Sequence, residues 1–396
     1  MWQKSFDIIL EKGEIAMKIV ISIDSLKGSL TSIEAANAIR TGILNVDNNS
    51  DVRIMPLADG GEGTVDALVE GMNGQSEIVS VTGPVEEKVD AKYGILKDTN
   101  TAIIEMAQAS GFALVPPELR NPLKTTTYGV GEIIKSAIEK GCRNFIVGIG
   151  GSATNDAGVG MLQALGYEFY DENNELVGLG GQVLNRIKNI KIDNKLKELD
   201  DCTFKIACDV NNPLYGENGA AYVYGPQKGA FPEMVEELDK GLRNFGQVVK
   251  KDLGKDIAQV KGVGAAGGLG FAFQGFLNSK LESGIKIILE EIKLEEVIKD
   301  ADLVITGEGR LDNQTAMGKA PIGVAKLAKK HNVKVIAVVG CATEDAVKCN
   351  EEGIDAYFSI INTAMTIEEA INKETAMKNM TSTVTQIFKL IKIMQQ

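Results

Sequence analysis

Apolar and polar positions follow two periods along this chain. Residues 18–23 read as a short strand. Ile33, Ala36, Ile39 and Ile43 then keep helical spacing, opened by Thr31 with Glu34 as a capping box. Residues 52–57 repeat the strand and 65–72 the helix, the β-α-β-α rhythm of a parallel sheet with crossover helices. That rhythm returns late: strand 303–306, helix 320–330, strand 333–339, a helix near Glu344, strand 357–361, and a helical stretch over 368–394. Between these blocks, 77–82, 89–96 and 101–106 are closely spaced strands with TGP and KDTN turns between them, the look of an antiparallel sheet. A helix near 131–139, strands 145–149 and 204–209, a helix over 232–253 and a further helix opened by the glycine-rich GVGAAGGLG at 262–270 complete the pattern. The expected fold is α/β. A discontinuous Rossmann-like parallel-sheet domain takes 17–80 and 285–396, and a second, mixed α/β domain is inserted over 81–284. Two consecutive domains divided near residue 200 are the alternative.

Length agrees with two domains, since 396 residues exceed one ordinary core. The apolar share of 44% is that of a globular chain, and no run approaches the roughly 18–20 apolar residues that span a bilayer. A net charge of −12 argues against a nucleic-acid partner, so basic residues that meet an anionic ligand must be concentrated locally. Five cysteines without a CxxC pair read as reduced thiols, and a cytoplasmic setting is expected. The one histidine, His331, sits between a helix and a strand in LAKKHNVKV, a surface position. Ser-His-Asp and Cys-His mechanisms need a histidine in a site, so hydrolases of those types are disfavoured. Glu11, Lys12 and Glu14 break up any signal-like apolar core. Met17, which opens KIVISID, is the expected initiator, with 1–16 an N-terminal extension that mass spectrometry of the native protein would find missing.

The chemistry is concentrated where strands end. Residues 304–319 read VITGEGRLDNQTAMGK, 145–158 run from an apolar strand into GGSATNDAG, and 58–64 read ADGGEGT. Glycine lets backbone N–H groups approach anionic oxygens, and carboxylates hold a hard cation, so three such loops suggest a phosphorylated ligand with a metal.

The chain also resembles the bacterial glycerate kinases of the type I family. DSLKGSLTSIEAA is similar to that family's opening motif, with Leu26 where Phe is usual. LADGGEGTVDAL, RNPLKTTTYGVGE, GIGGSATNDAG, CDVNNPL, GPQKGA, GAAGGLG and TGEGRLDNQTAMGKAP follow in the family's order. The resemblance runs from Met17 to nearly the end. It implies ATP-dependent phosphorylation of D-glycerate, a two-domain α/β fold with one domain inserted in the other, and Mg²⁺ dependence; the cleft between the two domains is the expected place of reaction. A kinase of another hydroxy or sugar acid, or a non-catalytic nucleotide-binding protein, is the alternative. No nucleic acid or membrane partner is expected, and a homo-oligomer is left open. Transfer to the 2-hydroxyl is favoured over the 3-hydroxyl.

Each loop then yields candidates. Asp24, Lys27 and Ser29 follow the first strand; Lys27 would neutralise a carboxylate or phosphate, and a capped turn with a solvated lysine is the alternative. Gly150, Gly151, Ser152, Thr154, Asn155 and Asp156 lead toward a helix start and are candidates for a phosphate cradle, together with Lys319 in GKAP. Asp209 and Asn211 follow the strand at 204–209 and would grip the hydroxyls of a small polyol acid, unless they form an Asx turn. Asp59 and Glu62 are candidate substrate contacts, and Thr125, Thr126 and Thr127 possible anion donors. Glu308 and Asp312 are the Mg²⁺ candidates, with Arg310 for the transferring phosphoryl group or, alternatively, in a surface ion pair with Glu308. With no histidine available, a carboxylate must accept the hydroxyl proton: Asp24, Asp209 or Asp312, with Asp209 preferred.

Overall fold

A computed structural model describes residues 16–394. The expected extension lies outside them, apart from Ala16. The chain divides into two compact units: one takes the described residues up to Leu57 with those from Leu289, the other Ala58–Ile288. The first boundary therefore falls at 57/58 and not at 80. Helix Thr64–Gly71 packs on strands Lys88–Leu96 and Thr101–Glu105, and Gln75–Thr82 is the edge strand of the second unit's sheet.

The first unit holds a five-stranded, wholly parallel sheet in the spatial order Ala356–Ser359, Lys334–Val339, Leu303–Thr306, Lys18–Ile21, Asp51–Ile54. Numbered along the chain, that is 2-1-3-4-5 read from the other edge. This is the doubly wound, flavodoxin-like order, whose switch point lies between Lys18–Ile21 and Leu303–Thr306. Helix Ser32–Leu44 starts at Thr31 with the expected capping box, and its Ala35, Ala36, Ile39 and Ile43 are buried. It packs on the C-terminal helix Lys373–Met394. Residues 368–394 are thus not one helix, because a short helix ends at Ile371 and Asn372 is extended.

The second unit holds a six-stranded mixed sheet. Ser279–Glu282, Thr203–Ala207, Asn144–Gly148 and Thr101–Glu105 run parallel, and Lys88–Leu96 and Gln75–Thr82 continue it antiparallel. Only its N-terminal edge is the expected antiparallel meander. Phe145, Phe204, Phe245, Phe271 and Phe273 fill the core beside it.

Candidate active site

In the second unit a cavity of about 540 Å³ opens where the parallel strands end. Ile149 to Ser152 come from the exit of Asn144–Gly148, and Ala207 to Val210 from the exit of Thr203–Ala207. Asp59, Gly60 and Gly61 come from ADGGEGT. The loops fit this closely only because of glycine. A Cβ on Gly148 would lie 2.1 Å from the Gly60 carbonyl oxygen, and one on Gly284 would lie 2.0 Å from the Asp59 carbonyl oxygen. Gly60 itself has φ +85°.

Glu105 fixes the ADGGEGT loop from below. It ends the buried strand Thr101–Glu105 and accepts from the Val65 N–H at 2.9 Å, at the start of helix Thr64–Gly71. Burial pushes its carboxyl above the usual range. The lining also includes Ala266, which with Gly267 and Gly268 is left-handed, so Ala265–Phe276 is regular helix only past Gly268. Ala157 is left-handed too, and its N–H reaches the Gly267 carbonyl at 2.9 Å. Such conformations at non-glycine residues are held only by their surroundings.

The second unit's candidates divide sharply. Asp59, Gly150, Gly151, Ser152 and Asp209 line one cavity. Asp209 accepts from the Gly284 N–H at 3.2 Å, and Asp59 from the Gly61 N–H at 2.9 Å. Thr154, Asn155 and Asp156 are instead fully buried below it. Asp156 accepts from the N–H and hydroxyl of Thr127, both at 2.8 Å, from the Gly158 N–H at 3.1 Å and the Gly160 N–H at 3.3 Å. Desolvation raises its pKa. It fastens the loop, and no ligand is needed to explain it. The expected helix N-terminus does not meet the cradle either, because that helix begins only at Val159. The threonines are corrected in the same way. Thr125 Oγ donates to the Ala153 carbonyl, Thr126 Oγ accepts from the Tyr128 N–H, and Thr127 serves Asp156, all of them buried. Glu62 and Asn211 are exposed and outside the cavity lining. Neighbouring Asn212 is engaged by the Asn218 carbonyl and the Tyr224 hydroxyl.

Sequence reading overlooked Lys228, in GPQKGA. Its side chain is buried in the cavity lining, and Nζ donates to Ser152 Oγ at 2.7 Å and the Thr154 carbonyl at 2.6 Å. The available signal was a lone lysine between glycines in an acidic chain. Phe112 was also missed; it lines the cavity with the Arg120 guanidinium 3.8 Å over its ring.

The remaining candidates lie in the first unit, Lys319 among them. At its switch point the Asp24 N–H reaches the Gly307 carbonyl at 3.0 Å, which ties the exits of Lys18–Ile21 and Leu303–Thr306 together. Asp24 is buried and Lys27 exposed. Buried hydroxyl oxygens of Ser22, Ser29 and Thr306 have no hydrogen-bond partner among the described residues. Asp312 caps the four-residue helix Asn313–Ala316, accepting from the N–H groups of Gln314 at 2.9 Å and Thr315 at 3.1 Å. Thr315 Oγ also donates to Glu308. Arg310 faces Asp312, Nε to Oδ2 3.7 Å. Lys319 precedes helix Ala320–Lys330 as its N-cap, half-buried.

Mg²⁺ usually takes one or two carboxylates plus phosphate oxygens. Glu308 and Asp312, joined through Thr315, fit that habit. Among the described residues no group of three or more His, Cys, Asp or Glu would hold a metal. His331 lies 3.0 Å from Glu295 at the surface. No described helix is long and apolar enough to cross a membrane.

Comparison with known proteins gives a consistent result. Residues 19–392 match the model of the glycerate kinase family. The chain is 49% identical to glycerate 2-kinase of Escherichia coli K12 over 89% of its own length and 93% of that protein. It is 51% identical to a glycerate kinase of Haemophilus influenzae, covering 87% and 92% of the two chains. A crystal structure of a protein assigned as glycerate kinase 2 from Salmonella typhimurium LT2 superimposes with a TM-score of 0.89 at 46% identity, covering 96% of this chain and all of that one.

Proposed function

Since the chain belongs to the glycerate kinase family and so transfers phosphate from ATP to glycerate, we propose that Asp209 accepts the proton of the attacking hydroxyl, and that this is the 2-hydroxyl of D-glycerate. The observation that carries the assignment is the cavity at the strand ends, where Asp209 and Asp59 face loops of glycine backbone. Glycine N–H groups suit anionic oxygens, and carboxylates suit hydroxyls. One oxygen of Asp209 is held by the Gly284 N–H, which orients the carboxylate.

Phosphoryl transfer asks mainly for alignment and for neutralisation of developing charge. Arg310 presents a guanidinium that pairs bidentately with phosphoryl oxygens, and Lys27 adds a second, mobile charge. Glu308 and Asp312 would hold Mg²⁺, which when bound offsets phosphate charge. Thr315 holds both carboxylates, Glu308 through its hydroxyl and Asp312 through its backbone N–H. The Escherichia coli relative is named a glycerate 2-kinase, which supports the 2-position here.

The test is the product. Purified protein with ATP, Mg²⁺ and D-glycerate should release ADP and give 2-phosphoglycerate by phosphorus and proton NMR, and EDTA should stop it. A product that is 3-phosphoglycerate would overturn the regiochemistry. No glycerate-stimulated ADP at excess Mg²⁺ would overturn the whole reading.

A further inference from the structure

Lys228 is buried, yet among the described residues it forms no salt bridge. Both its hydrogen bonds go to neutral oxygens, Ser152 Oγ and the Thr154 carbonyl. The carboxylate nearest in effect, Asp156, is already shared among four donors. An ammonium taken out of water without a paired anion is costly. A lysine needed only to fasten the loop has cheaper neutral substitutes, because its acceptors are ones an amide or hydroxyl would satisfy.

The placement explains the cost. An ammonium has three protons, and two are engaged, leaving one. Ser152 Oγ accepts from Nζ, so the serine's own proton is left to donate. Lys228 and Ser152 line the same cavity as Gly150 and Gly151. The lysine amine, a hydroxyl and glycine backbone thus converge on one wall.

We propose that Lys228, with Ser152, forms the subsite for an anionic oxygen group of the ligand: the carboxylate of the hydroxy acid or a phosphate of the nucleotide. Binding that anion supplies the counter-charge the free protein lacks. This inference rests on reading the cavity as a substrate site.

Lys228→Met keeps an unbranched stem matching the lysine's carbon chain and removes the amine. One ligand should lose about 10–100-fold in KM or Kd, the size of a charge-assisted hydrogen bond, while the other changes by less than about twofold. Titrating D-glycerate and ADP separately by calorimetry tells the sources apart: a loss confined to glycerate marks the carboxylate, a loss confined to ADP a phosphate. The ligand-free variant should melt at the same or a higher temperature than wild type, and the rise in Tm that the affected ligand gives wild type should vanish. Ser152→Ala, which leaves the lysine in place, should weaken the same ligand by about 3–10-fold, and it carries the test if Lys228→Met does not fold. A lower Tm with both affinities unchanged would show a structural fastener and overturn the proposal. Wild type that makes no phosphoglycerate would overturn the site reading instead.

Discussion

The loop after Asn144–Gly148 and the loop after Leu303–Thr306 are written alike, as glycines and an aspartate past a buried strand. They put that aspartate to opposite uses of burial. Asp156 is fully buried and saturated with four donors, so the cavity wall above it is glycine backbone and Ser152. Asp312 stays near the surface, capping a single turn with Arg310 beside it. In the first loop the backbone and a buried lysine face the cavity, while in the second the side-chain charges themselves are presented. A carboxylate among glycines is therefore as apt to be the loop's own fastener as a ligand contact. Burial decides which.

The sharpest way to break the comparison is to remove both aspartates. Asp156→Ala strands four buried donors and should lower unfolding free energy by about 3–5 kcal/mol, read by urea denaturation. Asp312→Ala loses a cap and should lower it by about 1 kcal/mol. Equal losses would erase the distinction. Next in size, Asp209→Asn should reduce kcat by about 10²–10⁴-fold at any Mg²⁺ concentration. Its Tm should hold, because the amide oxygen still accepts from the Gly284 N–H. A near-normal kcat in a folded variant would move the proton acceptor elsewhere.

Asp312→Asn preserves the cap and deletes the charge. It should raise the Mg²⁺ concentration for half-maximal activity by ~10-fold or more and recover kcat at saturation. An unchanged metal requirement would make Asp312 a cap and nothing else. The smallest effect is one of pH. Burial pushes Lys228 down to about 7 from an ordinary 10.5, with Asp156 pulling weakly the other way. Between those values the unfolded chain binds a proton that the folded chain does not, so this group makes stability rise with pH across the window. Below about 7 both states are charged and the burial penalty is complete. The Tm advantage of Lys228→Met should thus be greatest near pH 6, on the order of a few degrees, and shrink toward pH 10. A pH-independent difference would show that the lysine does not titrate in this range.

Local signals were legible wherever neighbours in sequence settle the matter. Thr31 and Glu34 marked a helix start because a capping box is made within four residues. The apolar runs at 18–21 and 303–306 marked buried parallel strands, and Asp59, Asp209 and Gly150–Ser152 share one cavity lining because they sit at strand exits, where such sheets open clefts. Glu62, Asn211 and the three threonines misled, since nothing in a loop's composition says which side chains turn inward. The antiparallel edge of the second sheet is legible in its turns, but its parallel continuation through Asn144–Gly148 is not, because that partner lies far along the chain.

Sequence alone therefore determined the α/β class, the family and the strand-end loops, all of which follow from period, residue type and motif order. Tertiary structure alone decided that Asp156 is a fastener, that Glu105 supports a loop some forty residues earlier through Val65, and that Lys228 reaches Ser152 across the fold. Those outcomes depend on desolvation and on hydrogen bonds between distant segments, and neither exists until the chain has packed.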